Sequence, residues 1–166
     1  MARTETKGPV RIGIPKNFLK IDVALAKRGT CSDGERIEPD PETIYQAGNL
    51  LRSADTPIIY AGGGVRSADA SDELQAVAEQ LDAPVVTSYN GKAVLAEDHP
   101  LSVGCLSGCA SPELLSCLAE SDMVLGVGTD FDAAATQGFS VDFPDKLIHV
   151  TLDANDIGTD MTRLSA

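Results

Sequence analysis

The segment from Pro57 to Arg66 constrains the fold of this chain more than any other. A short apolar run breaks there into three consecutive glycines, Gly62, Gly63 and Gly64, and a helix-forming stretch follows at 70–81. Such glycines let backbone N–H groups approach a ligand, and the next helix presents a partial positive charge at its N-terminus. The segment predicts a strand, a glycine corner and a helix. The corner either holds a phosphate or pyrophosphate or only makes a tight turn.

Helix and strand patterns alternate along the rest of the chain. Asp40-Pro41 and Ser111-Pro112 each predict the start of a helix. Apolar runs predict further strands at 10–14, 85–87, 123–127 and 147–152, whereas no element is predicted within 90–108. This order predicts an α/β fold: a doubly wound, Rossmann-like parallel sheet with helices on both faces.

The charge of the chain narrows its partners. The formal net charge is -12 and the pI is near 4.4, so a nucleic acid partner is not expected, because phosphate binding needs clustered Lys and Arg. The many scattered carboxylates suit a surface adapted to high salt, which screens their mutual repulsion. Equal stability in dilute buffer and in molar salt would contradict this halophilic hypothesis.

The apolar content, at 43%, is enough for one substantial core. No apolar stretch approaches the roughly 20 residues that cross a bilayer, and the polar start has no signal-peptide core, so a cytoplasmic protein without a membrane partner is expected. Reduced thiols are expected for its four cysteines. Cys105 and Cys109 have no second pair or nearby histidine that would complete a tetrahedral site, so no metal site is predicted.

Three predicted strands end in residues that suit a ligand site, namely Gly62–Gly64, Gly128-Thr129-Asp130 and Asp153. The carboxyl ends of parallel strands share one edge of the sheet, so these residues are expected at a common rim. The dinucleotide fingerprint is incomplete, because Ser67 stands where a third glycine is expected and the second strand ends in Thr87-Ser88 rather than an acidic residue. An ordinary NAD site is therefore disfavoured.

The chain resembles the central domain of thiamine-diphosphate-dependent enzymes of the acetolactate synthase and benzoylformate decarboxylase type. The matching segments, which follow the family's order over nearly the whole chain, are 57–65, 83–86, 91–92, 97–101, 122–131 and 146–158. Residues 8–15 resemble the last strand of that family's preceding, pyrimidine-binding domain. The resemblance implies that residues 1–20 are the trailing edge of that domain, 21–40 a linker, 41–160 the central Rossmann-like domain and 161–166 a tail. It also implies that the central domain has the DHS-like NAD/FAD-binding type of fold.

The resemblance also implies what the chain does. The parent would be a lyase or transferase acting on 2-oxo acids, and its pyrimidine- and diphosphate-binding domains would bind thiamine diphosphate and Mg²⁺. This chain would be their scaffold partner, without catalytic residues of its own and inactive when isolated, and it can take part in a homo-oligomer. The alternative is a stand-alone module that binds an adenine nucleotide such as FAD, ADP or NAD.

In some relatives the central domain binds FAD or an adenine nucleotide, which implies a set of cofactor-binding positions. In this chain they are Gly62, Gly63, Gly64, Ser88, Gly128, Asp132 and Asp153. FAD-binding relatives carry two arginines where this sequence has Asp130 and Ala134. A carboxylate in place of a phosphate-pairing cation removes an attraction and adds a repulsion, so FAD or ADP is disfavoured.

Two histidines and two cations are interpreted as structural or surface residues. Neither His99 nor His149 has a recognisable nucleophile beside it in the sequence, and Lys92 lacks the rest of a phosphate loop. Arg66 follows the glycine corner. It either replaces a lost phosphate ligand or is a surface charge.

Overall fold

The computed structural model of the protein describes Arg11, Gly13, residues 38–153 and residues 156–157. The predicted strand at 10–14 therefore lies, but for two single residues, outside the described part, as does the predicted tail at 161–166. The chain divides into two compact units, Met1–Glu38 and Pro39–Ala166. Every helix and strand given below belongs to the second unit.

The described residues form four helices and five strands. The helices are α1 (Pro41–Arg52), α2 (Gly63–Ser67), α3 (Ser71–Leu81) and α4 (Pro112–Glu120), and none of them is long and apolar enough to cross a membrane. The strands are β1 (Pro57–Ala61), β2 (Val85–Thr87), β3 (Ser102–Cys105), β4 (Met123–Val127) and β5 (Leu147–Val150). They form one parallel sheet in the order β3-β2-β1-β4-β5.

Apolar clusters cover both faces of the sheet. Strand β1 contributes to both clusters because successive side chains of a strand point to opposite faces. Ile58 and Tyr60 of β1 pack in one apolar cluster with Leu114 and Leu118 of α4. Their neighbours Ile59 and Ala61 pack in a second cluster, which includes two residues of α3, Leu74 and Ala78. Burying one such leucine contributes about 1.5–3 kcal/mol to stability. The predicted doubly wound α/β fold is confirmed.

Both predicted helix starts are confirmed by their capping bonds. The Asp40 carboxylate accepts a hydrogen bond from the Thr43 N–H at 3.1 Å, and the Ser111 hydroxyl accepts one from the Leu114 N–H at 3.2 Å. Each bond satisfies an N–H that the first helical turn leaves without an intrahelical partner. The two helices nevertheless differ in packing, because α4 buries two leucines and α1 has no buried residue.

Two elements were absent from the sequence prediction. Strand β3 lies within 90–108; its sequence, SVGC, is short and lacks the apolar run of the other strands, and its pairing with β2 shifts register between Val85 and Val86. Helix α2 has only five residues and begins at the glycine corner itself. The predicted strand at 147–152 ends earlier, at Val150.

Candidate functional site

A cavity of about 450 Å³ lies beyond the carboxyl ends of β1, β2 and β4. Strand β2, which follows β1 in the sequence, pairs with one side of β1, and β4 pairs with its other side. The strand order therefore reverses between β1 and β4. In open α/β sheets this reversal is where ligands bind. The lining residues are Gly63, Gly64, Arg66, Ser67, Ser88, Tyr89, Asn90, Gly128, Thr129, Asp130, Asp132, Ala134, Ala135, Thr151, Leu152 and Asp156.

The cavity brings together most of the predicted site residues. Five of the seven line it, namely Gly63, Gly64, Ser88, Gly128 and Asp132. Gly62 and Asp153 are not among the lining residues. The end of β5 reaches the cavity through Thr151 and Leu152 instead, and then through Asp156.

The glycine corner packs directly against the loop that follows β4. A Cβ added to Gly62 would lie 2.1 Å from the carbonyl oxygen of Gly128, and one added to Gly64 would lie 2.6 Å from the Gly128 Cα. The Gly62 N–H donates to the carbonyl of Val127 at 2.8 Å, and the Gly64 N–H donates to that of Gly128 at 2.9 Å. A larger residue at either position would therefore collide with the backbone of Gly128. The N–H groups of both glycines are already hydrogen-bonded within the fold.

The loop after β2 closes against the same corner. A Cβ on Gly91 would lie 2.2 Å from the carbonyl oxygen of Ala61. The Gly91 N–H donates to the hydroxyl of Ser88 at 3.2 Å, and the Ser88 N–H donates to the Ala61 carbonyl at 2.9 Å. Ser88 therefore stabilises the loop whose next residues, Tyr89 and Asn90, line the cavity.

Asp132 also has a structural partner. One of its carboxylate oxygens accepts from the Ala135 N–H at 2.6 Å, and its carbonyl accepts from the hydroxyl of Thr136 at 2.8 Å. These bonds hold the segment after β4 in a turn. Asp132 is thus a lining residue of the cavity whose carboxylate caps this turn.

An aromatic group, in which Tyr60 and Phe131 are buried, supports the segment after β4. Tyr60, Phe131, Phe143 and His149 form it, with ring centroids 5.1–5.7 Å apart. The Tyr60 hydroxyl donates to the carbonyl of Ala135. Burial, with smaller contributions from nearby negative groups, raises the pKa of Tyr60 far above its usual range, so this hydroxyl stays protonated and keeps donating.

His149 ties β5 to the same segment. Its Nε2 lies 2.7 Å from the carbonyl oxygen of Thr129, a distance at which Nε2–H donates. Within the described part of the chain, the buried Nδ1 has no hydrogen-bond partner. His149 therefore positions the backbone of Thr129, which agrees with its structural interpretation.

The two other residues interpreted as non-catalytic have local partners. Nδ1 of His99 accepts from the Leu101 N–H at 3.2 Å, and its Nε2 lies 3.2 Å from a carboxylate oxygen of Glu79 in α3. The exposed Lys92 pairs with Glu97 at 3.1 Å. Both side chains join neighbouring segments of the surface.

The lining of the cavity is acidic. Three aspartates line it, Asp130, Asp132 and Asp156, against one arginine, Arg66. A diphosphate placed among them would face more negative than positive charge, and the Gly62 and Gly64 amides already bond to backbone carbonyls. The charges of these residues therefore disfavour a diphosphate such as that of FAD.

Sequence reasoning missed several lining residues. Tyr89, Asn90, Thr151, Leu152 and Asp156 were not predicted as site residues, although the structure places all five at the cavity. Each follows the end of a strand by one to six residues. Their residue types carry no motif. The only signal in the sequence was therefore that each residue lies shortly after the end of a strand.

Fold and cavity together define a Rossmann-like α/β domain with a ligand-sized opening at the point of strand reversal. A sequence model of the family described as "Thiamine pyrophosphate enzyme, central domain" matches residues 44–164. Because this match covers more than half of the chain, the chain belongs to that family. The resemblance inferred from its motifs is confirmed.

Curated relatives agree with this assignment. The chain is 34% identical to a probable acetolactate synthase large subunit of Methanococcus aeolicus, over 95% of the chain and 28% of that protein. It is 32% identical to the acetolactate synthase large subunit of Corynebacterium glutamicum, over 95% of the chain and 26% of that protein. It is 35% identical to a probable sulfoacetaldehyde acetyltransferase of Rhizobium meliloti, over 90% and 26%. The chain thus spans little more than a quarter of these relatives.

Proposed function

We propose that this chain is the non-catalytic central domain of an enzyme that requires thiamine diphosphate and Mg²⁺ and acts on 2-oxo acids. The observation that carries the proposal is the near-complete match of the chain to one quarter of acetolactate synthase large subunits. Neighbouring pyrimidine- and diphosphate-binding domains would hold the cofactor and the metal. The chain would space and assemble them, within a homo-oligomer.

The domain boundaries are part of this proposal. Residues 1–20 would close the preceding domain, 21–40 would link it to the central domain at 41–160, and 161–166 would be a tail. Strand β1 and the elements after it form a sheet with a core on each face, which supports a rigid spacer. The segment before Pro39 belongs to a separate compact unit.

A direct test uses the purified chain with pyruvate, thiamine diphosphate and Mg²⁺. We expect no decarboxylation or ligation, and no rise in melting temperature on addition of the cofactor and metal. The full-length acetolactate synthase large subunit of Corynebacterium glutamicum provides the active control. Turnover by the pure chain, or stabilisation by thiamine diphosphate, would contradict the proposal.

A chimera tests the scaffold role itself. The matching quarter of the Corynebacterium glutamicum protein would be replaced by this chain, and assembly and acetolactate formation would be measured. We expect an assembled and active chimera. The same chimera with Gly62→Ala should lose both, because the corner no longer packs, whereas Gly108→Ala, with open space around the added Cβ, should leave both unchanged. A chimera that folds but cannot assemble would refute the scaffold role.

A second candidate function is binding of an adenine nucleotide such as FAD, ADP or NAD. The cavity at the strand reversal supports it, because this is where Rossmann-like domains bind nucleotides. A melting scan with FAD, NAD, ADP and coenzyme A tests it, since a ligand that binds only the folded state raises its stability. If none of these ligands raises the melting temperature, only the scaffold function remains.

A further inference from the structure

Helix α1 carries large apolar side chains that are open to solvent. Ile44 is 52% exposed, Tyr45 62% and Leu50 52%. Among the described residues, only the half-buried Leu51 connects α1 to a core cluster. Helices α3 and α4, by contrast, each bury two residues in the core. Most of the apolar surface of α1 is therefore not used by the domain itself.

The apolar side chains of α1 lie together because residues three, four and seven positions apart share one side of a helix. Ile44, Ala47 and Leu51 have this spacing. Glu42 and Gln46 lie on the opposite side, where their side chains bond to each other at 3.0 Å. One end of the apolar side reaches the core through Leu51, and the other end, at Ile44, extends beyond it. We call this surface, with its flanking residues, the α1 face: Ile44, Tyr45, Ala47, Leu50 and Leu51.

Charge and size favour an occupant from the same polypeptide over a second copy of the chain. Two copies repel each other, because each carries a formal net charge of -12. A helix of 12 residues is only about 18 Å long, and one such face offers less than the roughly 800 Å² per partner of a standard interface. A small interface suffices for a tethered partner, because the tether raises its effective concentration.

The parent enzyme supplies such a tethered partner. The chain matches only 28% of the Methanococcus aeolicus relative and 26% of the Corynebacterium glutamicum relative, so most of each relative lies outside the match. Helix α1 begins at Pro41, directly after the proposed linker at 21–40. The domain on the other side of that linker is therefore the one held nearest to α1 by the chain.

We infer that the α1 face is the surface on which the preceding, pyrimidine-binding domain of the parent enzyme docks, through an apolar patch in the part of that domain upstream of residue 1. This inference rests on the proposed scaffold function and deepens it, because a spacer needs a surface that holds its neighbour. The two core clusters form without this face, which leaves it available for docking.

Hydrogen exchange of α1, compared between the isolated chain and the Corynebacterium glutamicum chimera, tests the inference. Docking should slow exchange in α1 at least about tenfold in the chimera, because a covered helix no longer frays by itself. Equal exchange in both, with an assembled and active chimera, would overturn this inference alone. A chimera that does not assemble would refute the scaffold role and the inference with it. Protection of α1 that rises with the concentration of the isolated chain would show that a second copy is the occupant.

Variants locate the surface and identify the docked domain. In the chimera, Ile44→Asp should remove the added protection of α1 and also lower protection of a segment in the preceding domain, because it places a charge in an apolar contact. Val77→Asp is the matched control, on an aliphatic residue of α3 that is 37% exposed, and should change neither. Equal results from the two, or lost protection in the following domain instead, would overturn the inference.

The isolated chain shows whether these effects arise from docking or from misfolding. Ile44→Asp should melt within about 2 °C of the unsubstituted chain, because α1 has no buried residue. Tyr45→Ser is a second variant of the α1 face, at a side chain that is 62% exposed, and should reproduce the loss of protection in the chimera. If both variants melt normally when isolated and both leave α1 protected in the chimera, the α1 face is not the docking surface.

Discussion

Gly62 and Gly48 lie in two regions of the domain that tolerate an added methyl group very differently. At Gly62, in the corner after β1, a Cβ would meet the carbonyl oxygen of Gly128 at 2.1 Å. At Gly48, in α1, the nearest atoms are the guanidinium nitrogens of Arg52, at 3.8 and 3.9 Å. The same residue type is thus required by packing in one region and dispensable in the other.

The two regions also differ in how far they are buried. Four of the five residues of β1 are buried, while α1 has none. A clear local signal in the sequence therefore contributes to the stability of the fold only as far as other residues pack on the element that it predicts. A capped, amphipathic helix and a glycine corner are both clear in the sequence, but only the corner joins several parts of the fold.

The largest effect is expected for Gly62→Ala. Gly62 has φ −102°, which any residue adopts, so the cost arises from the contacts with the backbone of Gly128 and Thr129. We expect a loss of about 3 kcal/mol or more in the free energy of unfolding, measured by urea denaturation. Gly108→Ala is the control, with nothing within 4 Å of its Cβ, and should change stability by less than about 0.5 kcal/mol. Equal effects would break the comparison.

Removal of the two helix caps should give unequal results from equal local changes. Ser111→Ala should lower the free energy of global unfolding by about 1 kcal/mol, because α4 buries Leu114 and Leu118 in the core. Asp40→Ala removes the same kind of bond from α1, which should fray by itself. Hydrogen exchange should then show lost protection in α1 with little change in the urea midpoint. A global loss with Asp40→Ala would show that α1 is coupled to the core.

Asp122, just before β4, is bonded to the segment between α1 and β1 and makes the stability depend on pH. The backbone N–H groups of Thr56 and Asp55 donate to its carboxylate at 2.9 and 3.1 Å and lower its pKa. A carboxyl group with a lowered pKa stabilises the folded state above its ordinary pKa, and this contribution is lost as the pH falls through the folded value. We expect Asp122→Asn to be less stable than the unsubstituted chain at pH 7 and to approach it in acid, by thermal melts from pH 7 to 3. A difference that is independent of pH would contradict this role.

The smallest effect is expected for Gly48→Ala. Alanine is favoured over glycine in a helix interior by about 1 kcal/mol, and the space around Gly48 is open. The substitution should therefore raise the helicity of α1 and its hydrogen-exchange protection. The global midpoint should hardly move, because α1 buries no residue. Destabilisation would show that a methyl group at position 48 clashes with a neighbouring residue, contrary to the open space around Gly48.

The well-predicted parts of the fold are those with strong local signals. The proline-led helix starts at Asp40 and Ser111, and the apolar runs of β1, β2 and β4, needed no tertiary information. Strand β3 was missed because Ser102–Cys105 lacks an apolar run and depends on pairing with β2. Helix α2 was missed because glycines are poor helix formers, and its first residues are held instead by contacts with the segments after β2 and β4.

The candidate site divides in the same way. The sequence predicted that strand ends would meet at one rim, and Gly63, Ser88 and Gly128 do line one cavity. It did not predict the contributions of Tyr89 and Asp156, whose positions depend on the course of loops rather than on a repeating pattern. Of the glycine corner's alternatives, the Gly62 and Gly64 contacts favour the tight turn.

The sequence by itself determined the alternation of helices and strands, the excess of negative charge and membership in the thiamine pyrophosphate enzyme central-domain family, because periodicity, composition and motif order are properties of the chain alone. Only the tertiary structure decided that the corner glycines serve backbone packing and that three aspartates share a cavity with one arginine. Such contacts join residues more than 60 positions apart, and their distances follow from the packing of whole strands and loops.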